Sequence, residues 1–171
     1  MVNYRPIDRR PSIVVILVVV LGMALGACGT DDPAASSACG PDVTEPLDPR
    51  SAQHVLPGAP APTYSSDPPT SGAHELGTLP TGVVGAPVAP PTQVTVLEEG
   101  GILLQYRDLD TSDRRRLESL AAPGVVVAPN ADLRSPVVAT AWRHSFSCTA
   151  VDLAALGGFI DTYQGRGADG Q

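Results

Sequence analysis

Thirteen consecutive residues constrain this chain more than any others. They run from Val94 to Tyr106 and read Val-Thr-Val-Leu-Glu-Glu-Gly-Gly-Ile-Leu-Leu-Gln-Tyr. Two apolar runs flank a pair of carboxylates and a Gly-Gly break, so this is where a core must form. Val94–Leu97 and Ile102–Tyr106 are predicted as strands, short and bounded by turn residues. Gly100-Gly101 between them permits a bulge, or φ values that other residues avoid. The preceding stretch, Cys39 to Pro91, is interrupted throughout by Pro and Gly and holds no helical or strand period. It is expected to wrap the core as ordered coil, with each Pro lowering the entropy cost of fixing the backbone.

Downstream, regular elements return. Ser112 is placed to cap a helix reaching about Ala122, with Leu117, Leu120 and Ala121 on its inner face. Pro123-Gly124 ends it. Val125–Ala128 and Val137–Trp142 are predicted strands, and Ser145–Cys148 continues or pairs with the second. A last helix starts near Thr149, with Asp152 as a capping-box partner and Leu153, Leu156, Ile160 and Tyr163 as its apolar stripe beside Phe159. Gly157-Gly158 within it costs about 1 kcal/mol per residue relative to Ala, which points to close approach to the sheet. Gly165 is a helix stop, and the chain is expected to fray from Arg166. The expected fold is α+β: a small mixed or antiparallel sheet with two helices on one face, preceded by the long Pro/Gly-rich coil.

The N-terminus predicts where the protein resides. Arg5, Arg9 and Arg10 precede an uncharged run, Ile13 to Ala27. This is the pattern of a secretory signal. Fifteen residues at about 1.5 Å each reach about 22 Å, short of a hydrocarbon core of about 30 Å. The run ends in Leu25-Gly26-Ala27-Cys28, which resembles the bacterial lipobox. That resemblance implies cleavage before Cys28 and acylation of its thiol, palmitate included, with more than one chain for stable attachment. The expected organisation is a lipoprotein signal peptide at 1–27, a flexible tether at 28–38, one α+β domain at 39–167 and a disordered tail at 168–171.

Removing residues 1–27 leaves eight Arg, no Lys and seventeen acids, a formal charge of about −9. Such a balance argues against nucleic acid as a partner. Two cysteines remain besides Cys28, and in an exported protein Cys39 and Cys148 are expected to pair. Loop-closure entropy sets an upper contribution of about 4–5 kcal/mol for so long a loop.

Four segments stand in a fixed order: Tyr64-Ser-Ser-Asp-Pro-Pro-Thr-Ser-Gly-Ala-His74, Gly100-Gly-Ile-Leu-Leu-Gln-Tyr106, Pro136-Val-Val-Ala-Thr-Ala-Trp142 and Phe159-Ile-Asp-Thr-Tyr-Gln-Gly-Arg-Gly167. Together they resemble the bacterial envelope family called domain of unknown function 3105, from about His54 to Gly167. The resemblance implies export and a membrane anchor, and no established activity. Members of that family read His-Asn-Leu-Glu-His-Gly-Gly before the strand. Here Glu98 matches, while Thr95 and Glu99 stand where the two histidines would be; His74 and His54 are retained.

The family's two histidines flanking a Glu, with a third upstream, are ligand types for a transition metal. Here His74, Glu98 and Glu99 are what remains, with Tyr64 on the same coil segment as His74. On a strand Glu98 and Glu99 would face opposite ways unless a bulge re-aimed one. No catalytic set is evident. Ser65, Ser66 and Ser71 sit in turn chemistry, and His144 is expected at an exposed strand end. Arg114-Arg115-Arg116 lies among Asp110, Asp113 and Glu118 and reads as a solvated helix face. The expected function is a lipid-anchored envelope module binding a partner protein or a small ligand. The alternative is a metal-binding protein or metal-dependent enzyme built on His74 and Glu98/Glu99. No resident cofactor is expected beyond that metal.

Overall fold

The computed structural model describes residues 37–170 apart from 57 and 61. The expected signal peptide, the acylation site Cys28 and most of the expected tether lie outside the described residues. Six strands and three helices follow in chain order: β1 (Val43–Thr44), β2 (Gly82–Val83), α1 (Pro90–Glu98), β3 (Ile102–Tyr106), α2 (Thr111–Glu118), β4 (Val125–Pro129), β5 (Val137–Ala141), β6 (His144–Cys148) and α3 (Leu153–Tyr163). A 3-10 turn, Ala168–Gly170, closes the described chain. No described helix is long and apolar enough to cross a membrane.

The strands form one mixed sheet in the order β1-β6-β5-β3-β4-β2. The parallel pair β3/β4 is joined through α2, as parallel neighbours require a crossover. β5 and β6 form an antiparallel hairpin beside β3. Alternation along the strands divides the core into two layers. Ile102, Leu104, Val125, Val127 and Ala139 face α2 and α3, where they meet Leu117, Leu156, Phe159 and Ile160. Leu103, Val126 and Ala128 face the other way, onto Val94, Val96 and Leu97 of α1 and the ring of Trp142.

The α+β class and the two helices on one face thus stand, but Val94–Leu97 is helix and not strand. α1 covers the opposite face, where Pro-rich coil alone had been expected. Its start is set by Pro90 and Pro91 in the first turn, where a missing N–H costs nothing. Its end is a complete Schellman motif. Gly100 N–H donates to Leu97 O at 3.0 Å and Gly101 N–H to Val96 O at 2.8 Å, with Gly100 at φ +80°. The Gly-Gly pair is therefore a helix stop.

α2 and α3 take other caps than Ser112 and Thr149: the cap of α2 lies two residues earlier, and in α3 the expected capping-box partner is itself the cap. Asp110 and Asp152 are the N-caps, accepting from Asp113 N–H and Ala155 N–H. Gly157 and Gly158 do not mark a close approach, because a Cβ at either would meet nothing within 4 Å. Nor does the chain fray at Arg166. Gly165 N–H donates to Gly100 O at 2.8 Å, Gly167 is buried against the end of α1, and Ala168 packs beside the α1 layer. Cys39 and Cys148 are disulfide-bonded across 109 residues of sequence, fastening the start of the coil to β6.

Candidate functional site

The Pro-rich coil is ordered by one carboxylate. Asp48 is 1% exposed. Its Oδ1 accepts from Arg50 N–H and Nε, and its Oδ2 from Arg50 Nη2, Ser65 N–H and Ser65 Oγ. Ser71 Oγ accepts from the backbone N–H of Asp48. Burial opposes ionisation and is the largest single effect on this carboxyl. The hydrogen bonds from Arg50 and Ser65 together outweigh it and hold the group below its ordinary value. The knot draws residues 48–51 and 63–72 together.

Tyr64 braces the same loop from behind. Its ring lies against Gly72, where a Cβ would come within 2.8 Å of it and where φ is +131°. Its hydroxyl donates to Ala73 O at 2.8 Å. Burial pushes the phenol up to about 12, so it remains a donor at neutral pH.

The loop delivers His74, 1% exposed, onto the last residue of α1. A backbone bridge to His54 fixes its main chain: Val55 N–H donates to His74 O, and His74 N–H to Gln53 O. The His54 ring meets it edge-on at 4.9 Å. Nδ1 lies 3.2 Å from Gly72 O, and Nε2 lies 2.7 Å from Glu98 Oε2. Although so close, the carboxylate is off the Nε2 axis, so this nitrogen is buried without an aligned hydrogen-bond partner. Both ring nitrogens face acceptors, and the pair is charge-complementary when the imidazole is doubly protonated.

The structure therefore brings His74 and Glu98 into contact and places Tyr64 in the loop that holds them. It does not bring Glu99 to them. Successive helical residues diverge by about 100°, and Glu99 is exposed at a second cleft of about 280 Å³ lined by Leu79, Pro80 and Gly165 among others. Thr95, at one of the family's histidine positions, is committed elsewhere: its Oγ1 donates to Glu75 O at 2.6 Å or Pro91 O at 3.0 Å. Among the described residues no three His, Cys, Asp or Glu side chains come together as a metal site.

Glu98 is the boundary between the buried pair and solvent. Its side chain is 27% exposed and lines an open cleft of about 330 Å³ with Leu47, Ser51, Ala52, Trp142, Arg143 and Ala168. Leu47 is half exposed at the rim. Arg143 holds φ +61° in the two-residue β5–β6 turn, its N–H donating to Thr70 O and its Nε to Glu45 O. Sequence reasoning missed Leu47, Trp142 and Arg143. The signal available was a lone Trp beside an Arg in a tight hairpin.

No curated protein and no solved structure matches the chain significantly. Residues 58–171, two thirds of its length, match the family described as "Protein of unknown function (DUF3105)". The chain belongs to that family.

Proposed function

We propose that this protein is an exported lipoprotein, held at the membrane by acyl chains on Cys28, whose domain binds a partner protein through the Glu98–Trp142–Arg143 cleft. The observation that carries the binding reading is the cleft itself. It has an apolar floor with one carboxylate and one guanidinium at fixed positions, and buried His74 supports the carboxylate from behind. Small-molecule sites enclose most of their ligand. This cleft is open, which suits a side chain protruding from a protein surface. The anchoring reading rests on the lipobox and on the disulfide, which belongs to oxidising compartments. Cys28→Ala should abolish metabolic acyl labelling and release the protein from the membrane fraction. Labelling that persists in this variant, or a cytosolic wild-type protein, would contradict it. Glu98→Arg should remove the partner from in-cell crosslinks while the far-ultraviolet spectrum stays unchanged.

A second reading, metal binding at His74 and Glu98, is favoured by the buried Nε2 that faces a carboxylate without an aligned hydrogen. These two residues would be ligands, with other positions filled by water or a partner. Elemental analysis of protein purified without chelator tests it. One equivalent of transition metal, lost in Glu98→Gln, would support this reading, and metal-free protein unresponsive to added zinc or copper would sink it.

A further inference from the structure

The two segments bridged at His54 and His74 carry a second surface, outside the cleft. The bridge is parallel, so both chains leave it in the same direction, and the residues two positions on are Leu56 and Leu76. These are the most exposed large apolar side chains among the described residues, at 74% and 73%. Leu56 opens a turn closed by Ala59 N–H donating to Leu56 O at 3.0 Å, with Gly58 at φ +80°. Leu76 follows Glu75, whose backbone oxygen and carboxylate accept from Thr95 Oγ1 and Thr92 Oγ1 of α1. The tip therefore stands on the α1 side of the sheet, away from α2 and α3. Neither leucine lines the cleft.

Single exposed leucines are ordinary on a protein surface. This pair is set apart by its surroundings. Residues 51–66 and 76–97 contain no Asp, Glu, Lys or Arg, although the domain as a whole is strongly acidic. The stem is also fixed. Val55 N–H donates to His74 O at 2.7 Å, and the His74 side chain is buried. The leucines are thus held outward, and covering them costs little further ordering. What covers them follows from the length of chain before the domain. On the anchoring at Cys28 proposed above, on which this inference rests, nine residues lead from the acylated cysteine to Ser37 and reach at most about 32 Å. A domain of this length has a radius of gyration of about 14 Å, so it is kept at high local concentration against the bilayer. We propose that Leu56 and Leu76 insert at the headgroup–acyl boundary of that bilayer and set how the domain stands on it. Binding at this boundary scales with the apolar area buried. The uncharged tip is a part of this acidic domain that anionic lipid does not repel.

The test uses the full-length lipoprotein, reconstituted in vesicles of phosphatidylcholine and phosphatidylglycerol, with an environment-sensitive fluorophore on Leu56→Cys or Leu76→Cys. Ser112→Cys, exposed on α2, is the control. Cys39 and Cys148 are bonded to each other and do not take the label. Emission from positions 56 and 76 should shift to the blue and be quenched by lipids carrying a nitroxide near the headgroup, while position 112 stays solvent-like. Leu56→Glu should lower the ratio of docked to free domain, read from position 76, by about fivefold or more. Raising the salt should preserve the quenching, because it screens only repulsion; quenching lost in salt overturns the inference. So does solvent-like emission at both leucine positions when mass spectrometry finds acyl chains on Cys28, an outcome that leaves the anchor standing. An unacylated Cys28 overturns both readings. A blue shift that nitroxide lipid does not quench overturns the inference alone, since a second copy of the chain would then cover the leucines.

Discussion

Asp48 shows what a single residue does for this molecule. Five hydrogen bonds converge on a side chain with no exposed surface, and they come from two segments that carry no regular structure. Asp48→Asn keeps the shape but removes the charge and turns one acceptor into a donor facing donors. We expect a loss of about 2–3 kcal/mol near neutral pH, measured by urea unfolding. The Arg50 side chain is 32% exposed, so its share is screened and the backbone and Ser65 bonds carry most of the loss. The pH dependence has a definite sign. The folded carboxyl titrates below its unfolded value, so its stabilisation is present above the unfolded value and fades as pH falls through the folded one. Wild type and Asp48→Asn should therefore converge in acid, and a gap that is unchanged there would contradict this account.

At the scale of elements, α3 carries a defect without a purpose in packing. Gly157 and Gly158 sit mid-helix with open space where a Cβ would go. Gly157→Ala and Gly158→Ala should each stabilise by about 1 kcal/mol, read as a rise in thermal midpoint. Gly167 is the opposite case, since its Cβ would come within 2.0 Å of Glu98 O. Gly167→Ala should push the C-terminal segment off the end of α1 and be destabilising in the same assay.

The elements were unevenly legible in the sequence. β3 was readable to the residue, because Ile102–Tyr106 is a short β-prone run between a glycine stop and a turn. The apolar stripe of α3 was readable from its spacing. α1 was not. Val94–Leu97 is a continuous apolar run with two β-branched valines around a threonine, buried on all sides, and periodicity cannot separate such a run from a strand. The deciding signals lay outside the run, in Pro90-Pro91 at its start and Gly100-Gly101 at its end. The His74–Glu98 contact was legible as a pair of residue types. Its geometry was not, because it depends on an irregular loop closed by Asp48 and on a helix taken for a strand. The cleft was hidden for a related reason: Leu47, Trp142 and Ala168 meet only after the coil has wrapped and the C-terminal segment has folded back.

For the molecule as a whole, a sheet with α2 and α3 on one side depends on α1, coil and tail to close the other. The Cys39–Cys148 bond fastens that wrap at its first residue, where β1 adds only two residues of pairing. Replacing both cysteines by serine should cost about 2–5 kcal/mol, measured by chemical unfolding, with amide exchange rising first in residues 37–45. Exchange rising uniformly would mean the bond does not hold the wrap locally.

The central claim is that the cleft bounded by Glu98 and Trp142 receives a partner. Site-specific photocrosslinking in intact cells tests it most directly, with the reactive residue placed in turn at Leu47 and at Leu56. Leu47 lines the cleft, and Leu56 is 74% exposed without lining it. The account predicts a discrete protein adduct from position 47, weakened by Glu98→Gln, and none of that size from position 56. No adduct at position 47, or the same adduct from both positions, would contradict it.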